Sequence, residues 1–233
     1  MIGTFLNMGA IIAGTAIGAS AGSRFPAKMR ATVMHGIGLI IILIGIQMAL
    51  KTQNVLVVLG AILLGSVLGE LLNIEDRLGS LGDFLQTRLS GGSHGSLAEG
   101  FVTSSIVFCV GAMGILGSIA DGLSGDFHLL SVKAVLDGFA SIAFAASLGW
   151  GVALSSLSIL IYQGGLTLFA STLAAFLTEP MIIEMTATGG LIIVGIGIKL
   201  IGLKDLRLAN FVPAIAIAPL IQLLVPIIKR FFG

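Results

Sequence analysis

Charge is scarce in this chain: among 233 residues there are 12 Lys and Arg and 11 Asp and Glu, or 10% charged residues. A soluble domain carries roughly 25%. This sequence therefore has too few charges for a water-facing shell, and most of it must face lipid or other buried helices. Cysteine is reduced to Cys109, which excludes an internal disulfide and a thiolate metal cage and leaves the redox compartment unread. The three histidines, His35, His94 and His128, fall at span edges or in loops. No H-E-x-x-H, nucleotide-binding loop or clustered metal ligands accompany them. The expectation is a protein that is not an enzyme and holds no cofactor. A net charge of +1 offers no basic surface for nucleic acid, so none is expected as a partner. A basic segment ahead of the first apolar run is also missing, so "MIGTFLNMGAIIAGTAIGASAG" reads as a first span and not as a cleavable signal.

What is abundant is apolar sequence. The chain is 56% hydrophobic with a mean hydropathy of +1.12, and its 33 glycines sit inside apolar runs. Glycine there lets helices approach closely in lipid, where packing gains no hydrophobic drive. A spanning helix needs about 20 apolar residues. Eight stretches qualify, with seven or nine as the neighbouring counts: 3–23, 32–50, 54–72, 101–120, 131–149, 152–177, 182–203 and 210–228. The expected fold is a single all-α transmembrane domain, with the lipid bilayer as its first partner.

One polar region interrupts this pattern, at 73–99 between the third and fourth spans. Ile74, Leu78, Leu81, Leu85 and Leu89 recur at helical spacing opposite Glu75, Asp76, Asp83 and Arg88. That pattern predicts an amphipathic interfacial helix, followed by a linker, "SGGSHGSLAEG". With eight spans, Arg24, Lys28, Arg30, Arg77, Arg88, Lys199, Lys204 and Arg207 share one side. Lys51, Lys133, Lys229 and Arg230 share the other. The positive-inside rule then puts the first group of eight in the cytoplasm, so both termini would face outward.

The stretch "GLIIILIGIQ" (38–47) matches "GLIIVGIGIK" (190–199) at seven of ten positions. Each is followed, after a polar turn, by an asparagine that opens another apolar run, Asn54 or Asn210. Spans 1–3 would then correspond to spans 6–8. An odd displacement in span number reverses direction across the membrane, so the expectation is an inverted repeat, an architecture of secondary transporters. Coincidence within low-complexity sequence is the competing explanation.

Polar residues inside the spans are the candidate site. Asp137 stands in "KAVLDGFASIAFAASLGWG", four residues after Lys133. The two side chains are helical neighbours. They form either a structural ion pair, with Lys133 snorkelling to the interface, or a cation or proton site facing a cavity. Gln163 in "YQGGLT" must find a partner in hydrocarbon, and Asn7 and Thr4 are its nearest equivalents in span 1. Glu184, Thr186 and Thr188 supply oxygens early in span 7, where Glu179 beside Pro180 already serves as a cap. These oxygens favour a small cation or a proton-coupled neutral solute, with Lys199 the group that would argue for an anion. Asp121 and Asp126 in "DGLSGD" read as a solvated turn, and Gly14, Gly18 and Gly22 as a packing face. Smooth glycine faces also suit a homodimer.

The ordered blocks "GTFLN", "FCVGAMGILGSIADGL", "KAVLDGF", "LGWGV", "YQGGLT", "EMTATGGLIIVGIGIKL" and "ANFVPAIAIAP" span essentially the whole chain. Together they resemble the prokaryotic integral membrane-protein family of the YqgA and YdfK type, a domain of unknown function. The resemblance implies an integral protein of the cytoplasmic membrane and transfers no site residue. The residues themselves point to a secondary transporter or channel-like carrier for a small solute or cation. A non-transporting assembly or regulatory subunit, docking through 73–99, is the alternative.

Overall fold

The computed structural model describes residues 1–22, 26–77, 80, 96–110 and 112–232. Most of the expected interfacial helix and its linker lie outside the described residues. Among those described, the chain is helical without strands. In order come α1 (Ile2–Gly22), α2 (Ala27–Ala49), α3 (Val55–Leu71), α4 (Ser96–Cys109) and α5 (Ala112–Ser124). They are followed by α6 (His128–Leu148), α7 (Gly151–Leu168), α8 (Ala170–Phe176), α9 (Glu179–Leu200), a 3-10 turn (Leu208–Phe211) and α10 (Pro213–Phe232).

Six segments among the described residues are long and apolar enough to cross a membrane: α1, most of α2, α6, α7, α9 and Leu208–Val225. The helix α3 is apolar but has only 17 residues. Two expected spans are broken. The fourth is a pair, α4 and α5, bent by 66°. The intervening sequence carries Val110 and Gly111, and a glycine weakens a helix interior by about 1 kcal/mol relative to alanine. The sixth divides at Phe169 into α7 and α8, just after Gly164 and Gly165.

Glycines fix how the helices meet. A Cβ on Gly14, Gly18 or Gly22 would stand 2.2, 2.2 or 2.0 Å from the carbonyl oxygens of Gly138, Ile142 and Ala146. The even spacing means that α1 and α6 run parallel, backbone on backbone. The glycine stripe of α1 is thus filled from within the chain and not by a second copy. Helices α2 and α9 cross antiparallel, Gly38 against Gly197 and Gly45 against Gly190. Helices α3 and α10 also run antiparallel, with Gly65 on Ala214 and Gly60 on Ile221. Helices α4 and α7 run parallel, with Leu97 against Gly151 and Ser105 bonded to Ser158 at 2.8 Å. Around this frame, Leu39, Leu43, Leu63 and Leu64 are each more than half exposed, as lipid-facing side chains are.

Two polar turns close the ends of the matched stretches. Asn54 caps α3, its side chain accepting from Leu56 N–H. Asn210 accepts from Glu75 N–H at 2.8 Å and donates to Glu70 at 2.5 Å. Arg207 bridges Glu70 and Asp76 at the same end.

Candidate functional site

The helix α6 begins at His128, three residues before the expected start, with Asp126 accepting from His128 N–H at 3.0 Å. Asp137 therefore lies about 13 Å along the helix axis, deep in a layer about 30 Å thick. It is 8% exposed and Lys133 is 6% exposed. Asp137 Oδ2 accepts from Lys133 Nζ. It also accepts from Asn7 Nδ2 at 2.9 Å, and Asn7 in turn donates to Gln163 Oε1 at 3.4 Å. Three of the sequence candidates, drawn from α1, α6 and α7, thus form one hydrogen-bonded chain. The parallel packing of α1 on α6 brings Asn7 and Asp137 together.

Lys133 does not snorkel to the interface. Its ammonium turns inward and donates to the Phe108 carbonyl at 2.8 Å. The physical reason lies in the bend between α4 and α5. A helix that stops at Cys109 leaves its last carbonyls without helical N–H partners, and an ammonium in hydrocarbon needs acceptors. Each supplies what the other lacks. The expectation that Lys133 would snorkel to the interface is corrected by this contact.

Beside the pair is a cavity of about 420 Å³ between α2, α4, α5, α6 and α9. That volume falls within the range of small-molecule sites, about 300–1,000 Å³. Lys133, Asp137 and Thr186 lie on its wall with the Phe108 residue and Gly114, and Lys51 stands in its lining beyond the end of α2. The rest is mainly aliphatic, including Ile41, Ile44 and Ile193. Asn7 and Gln163 lie behind Asp137 and are absent from the lining. Asn7 Oδ1 and Gln163 Nε2 are buried without a hydrogen-bond partner among the described residues.

Glu184 and Thr188 do not join this group. Glu184, fully buried, accepts from Thr52 Oγ1 at 2.6 Å, Gln53 N–H at 2.8 Å and Asn54 N–H at 3.0 Å. It ties the α2–α3 turn to α9. Thr188 is fully buried with its hydroxyl unpartnered among the described residues, and Thr186 bonds back to the Ile182 carbonyl at 2.8 Å. Asp121 is not in a solvated turn. It lies on α5, 5% exposed, accepting from Gly3 N–H at 3.2 Å and pairing with the Met1 amino group at 2.9 Å. Its place inside "GILGSIADGLS", a continuous helical pattern, was the signal for burial. The Phe108 carbonyl carries no side-chain signal and becomes visible only with the bend.

The sequence profile described as "Protein of unknown function (DUF554)" matches residues 2–223. The chain is 29% identical over 225 residues to the "Uncharacterized membrane protein YdfK" of Bacillus subtilis, covering 95% of each. It is 30% identical over 222 residues to the "Uncharacterized protein YqgA" of Escherichia coli, covering 94% of each. No solved structure matches the chain.

Proposed function

The chain belongs to the DUF554 family of membrane proteins, and from that premise we propose that it is a secondary transporter or channel-like carrier for a small solute across the cytoplasmic membrane, with both termini outside. One observation carries the reading: a buried ion pair, Lys133 and Asp137, forms part of the wall of a ligand-sized cavity and is backed by the amides of Asn7 and Gln163. A pair needed only for packing has no use for a cavity. Ionisable groups inside spans mark substrate and ion pathways far more often than they serve as filler.

The packing supports the inverted repeat that such carriers use. The sequence-matched glycines are 38 with 190 and 45 with 197, and across the α2–α9 crossing each lies against the other pair's member. Helices α1 and α7, α2 and α9, and α3 and α10, the suspected partners, all touch. The parallel and antiparallel directions agree with a chain that crosses eight times. Broken helices at α4–α5 and α7–α8 are also what carriers place around a substrate, since irregular backbone is tolerated where it meets a cavity.

The test is flux through purified protein in liposomes that enclose a pH-sensitive dye. Pools of small carboxylates, amines, polyols and inorganic cations are applied outside under an imposed pH gradient. Labelled uptake or proton movement above empty liposomes, lost in Asp137→Asn, supports transport. Solute and proton movement indistinguishable from empty liposomes for every pool would leave the assembly-subunit reading in its place.

A further inference from the structure

We propose that the Lys133–Asp137 pair is an exchange site at which Asp137 takes a proton and Lys133 takes the carboxylate of a small, apolar-bodied acid. This rests on the transporter reading and names its substrate class.

The argument begins with charge. Among the described residues, three ionisable side chains line the cavity: the ammoniums of Lys51 and Lys133, and one carboxylate, Asp137. The lining is net positive and otherwise mainly aliphatic, with Thr186 as a further polar group. An apolar body with a single anionic end fits such a wall. A cationic solute would have to displace Lys133 from Asp137 and leave one ammonium bare, which burial opposes.

Lys133 has its ammonium shared between Asp137 and the Phe108 carbonyl. An anion cannot simply join it: Lys51 is exposed beyond the end of α2 and keeps its water, so two carboxylates on the one buried ammonium would be net negative in hydrocarbon. Protonation of Asp137 removes that obstacle. A proton from water bonds to the Asp137 carboxylate, Lys133 is released, and the arriving carboxylate pairs with it. The pair is neutral when empty, and ammonium plus substrate anion is neutral when loaded. No covalent bond of the substrate changes. The loaded unit carries one proton and one anion, so transport is electroneutral.

Asn7 fits both states. Its Nδ2 now donates to the ionised Asp137, while its Oδ1 is buried without a partner among the described residues. Turning the amide by half a revolution presents that oxygen to a protonated Asp137, whose O–H needs an acceptor. A purely structural pair has no need of the spare oxygen. The other charged and titratable groups on elements packed against α6 are few. They are Lys51 after α2, Lys28, Arg30 and His35 on α2, Cys109 and Glu99 on α4, Asp121 on α5 and Tyr162 on α7. Asp121 is occupied at Gly3 and the Met1 amino group. Glu99 lies at the far end of α4, within the lining of a separate pocket with Lys199. Asp137 is therefore the acid placed to exchange with Lys133.

The experiment is binding to purified protein in lipid nanodiscs. Isovalerate and benzoate are compared with isoamylamine and benzylamine at about pH 5.5 and about pH 7.5, by calorimetry and thermal unfolding. Carboxylates should bind and amines should not. Carboxylate affinity should fall by up to tenfold per pH unit, the signature of one linked proton. Asp137→Asn should bind carboxylate tightly at both pH values, because it mimics the protonated acid. Lys133→Gln combined with Asp137→Asn keeps the site neutral and should lose binding while staying folded. Amines binding in preference to carboxylates, no carboxylate binding, or unchanged pH dependence in Asp137→Asn would each overturn the assignment. If flux in liposomes persists when carboxylates fail to bind, the substrate class falls and transport stands. If carboxylates bind without flux, the reverse holds.

Discussion

Glu184 and Asn54 meet across 130 positions of sequence, the carboxylate of one accepting the backbone N–H of the other at 3.0 Å. With the bonds from Thr52 Oγ1 and Gln53 N–H, a single buried carboxylate holds the last part of the turn between α2 and α3. This makes Glu184 a clamp and removes it from the candidate binding set.

Glu184→Ala should therefore destabilise the protein by about 2 kcal/mol, since hydrogen bonds to charged groups contribute about 1.5–3 kcal/mol each and the freed N–H groups partly reach water. The folded fraction should keep any flux measured for the wild type. Unfolding in detergent read beside flux per folded molecule separates the two, and a flux loss with unchanged stability would return Glu184 to the site.

Close approach supplies the second prediction. Gly18→Ala places a Cβ 2.2 Å from the Ile142 carbonyl oxygen, which is backbone and cannot move aside. Helix α1 would have to lift off α6 and carry Asn7 away from Asp137. A loss of about 1–3 kcal/mol is expected, the usual size for overpacking. Gly36→Ala, on a helix with nothing within 4 Å, should be neutral or gain up to about 1 kcal/mol of helix propensity. Equal effects of the two, measured by thermal unfolding, would show that the α1–α6 contact is not load-carrying.

That pair of glycines also shows where sequence reading succeeds and stops. Apolar runs identify membrane helices because lipid demands long unbroken stretches, and the Gly14, Gly18 and Gly22 stripe reveals a packing face by its spacing alone. Spacing does not say which helix fills the face, because α6 lies more than a hundred residues away. Asn7, Asp137 and Gln163 were legible as polar groups needing partners, and they partner one another. Glu184 and Thr188 satisfied the same criterion and went elsewhere. The criterion detects burial and cannot tell a clamp from a site. Lys133 was misjudged because its acceptor is a main-chain carbonyl exposed by a bend, and backbone groups are alike in every sequence.

At the opposite end of the bundle, Lys199 lies 2.8 Å from Asp205. The hydrogen bond from Lys199, then its charge, hold the Asp205 carboxyl below the ordinary carboxylate range. A carboxyl lowered in the folded state stabilises it at every pH above the unfolded value, near 3.9, and the contribution fades as pH falls through the folded value. Asp205 is largely exposed, so solvent screening keeps the effect within about 1 kcal/mol. Asp205→Asn should lower stability slightly at neutral pH, and the gap should close as pH falls through the folded value. Raising salt should shrink the neutral-pH gap. A gap that grows toward acid pH would contradict the pairing.

The Lys133–Asp137 pair itself predicts a pattern among variants. Removing one partner of a buried pair strands the other charge at a cost of about 3–5 kcal/mol. Lys133→Gln leaves Asp137 with Asn7 Nδ2 as its remaining donor, and the adjoining cavity gives water partial access, so a loss near the lower figure is expected. Asp137→Asn leaves Lys133 its bond to the Phe108 carbonyl and an amide oxygen in place of the carboxylate, so the loss should be smaller. The double variant, Lys133→Gln with Asp137→Asn, strands nothing and should recover most of the stability of the wild type. Chemical unfolding of the four proteins in one lipid mixture reads the cycle. Additive losses, with the double variant the least stable, would mean that the two charges are not energetically paired and would leave the neutral empty site without its basis.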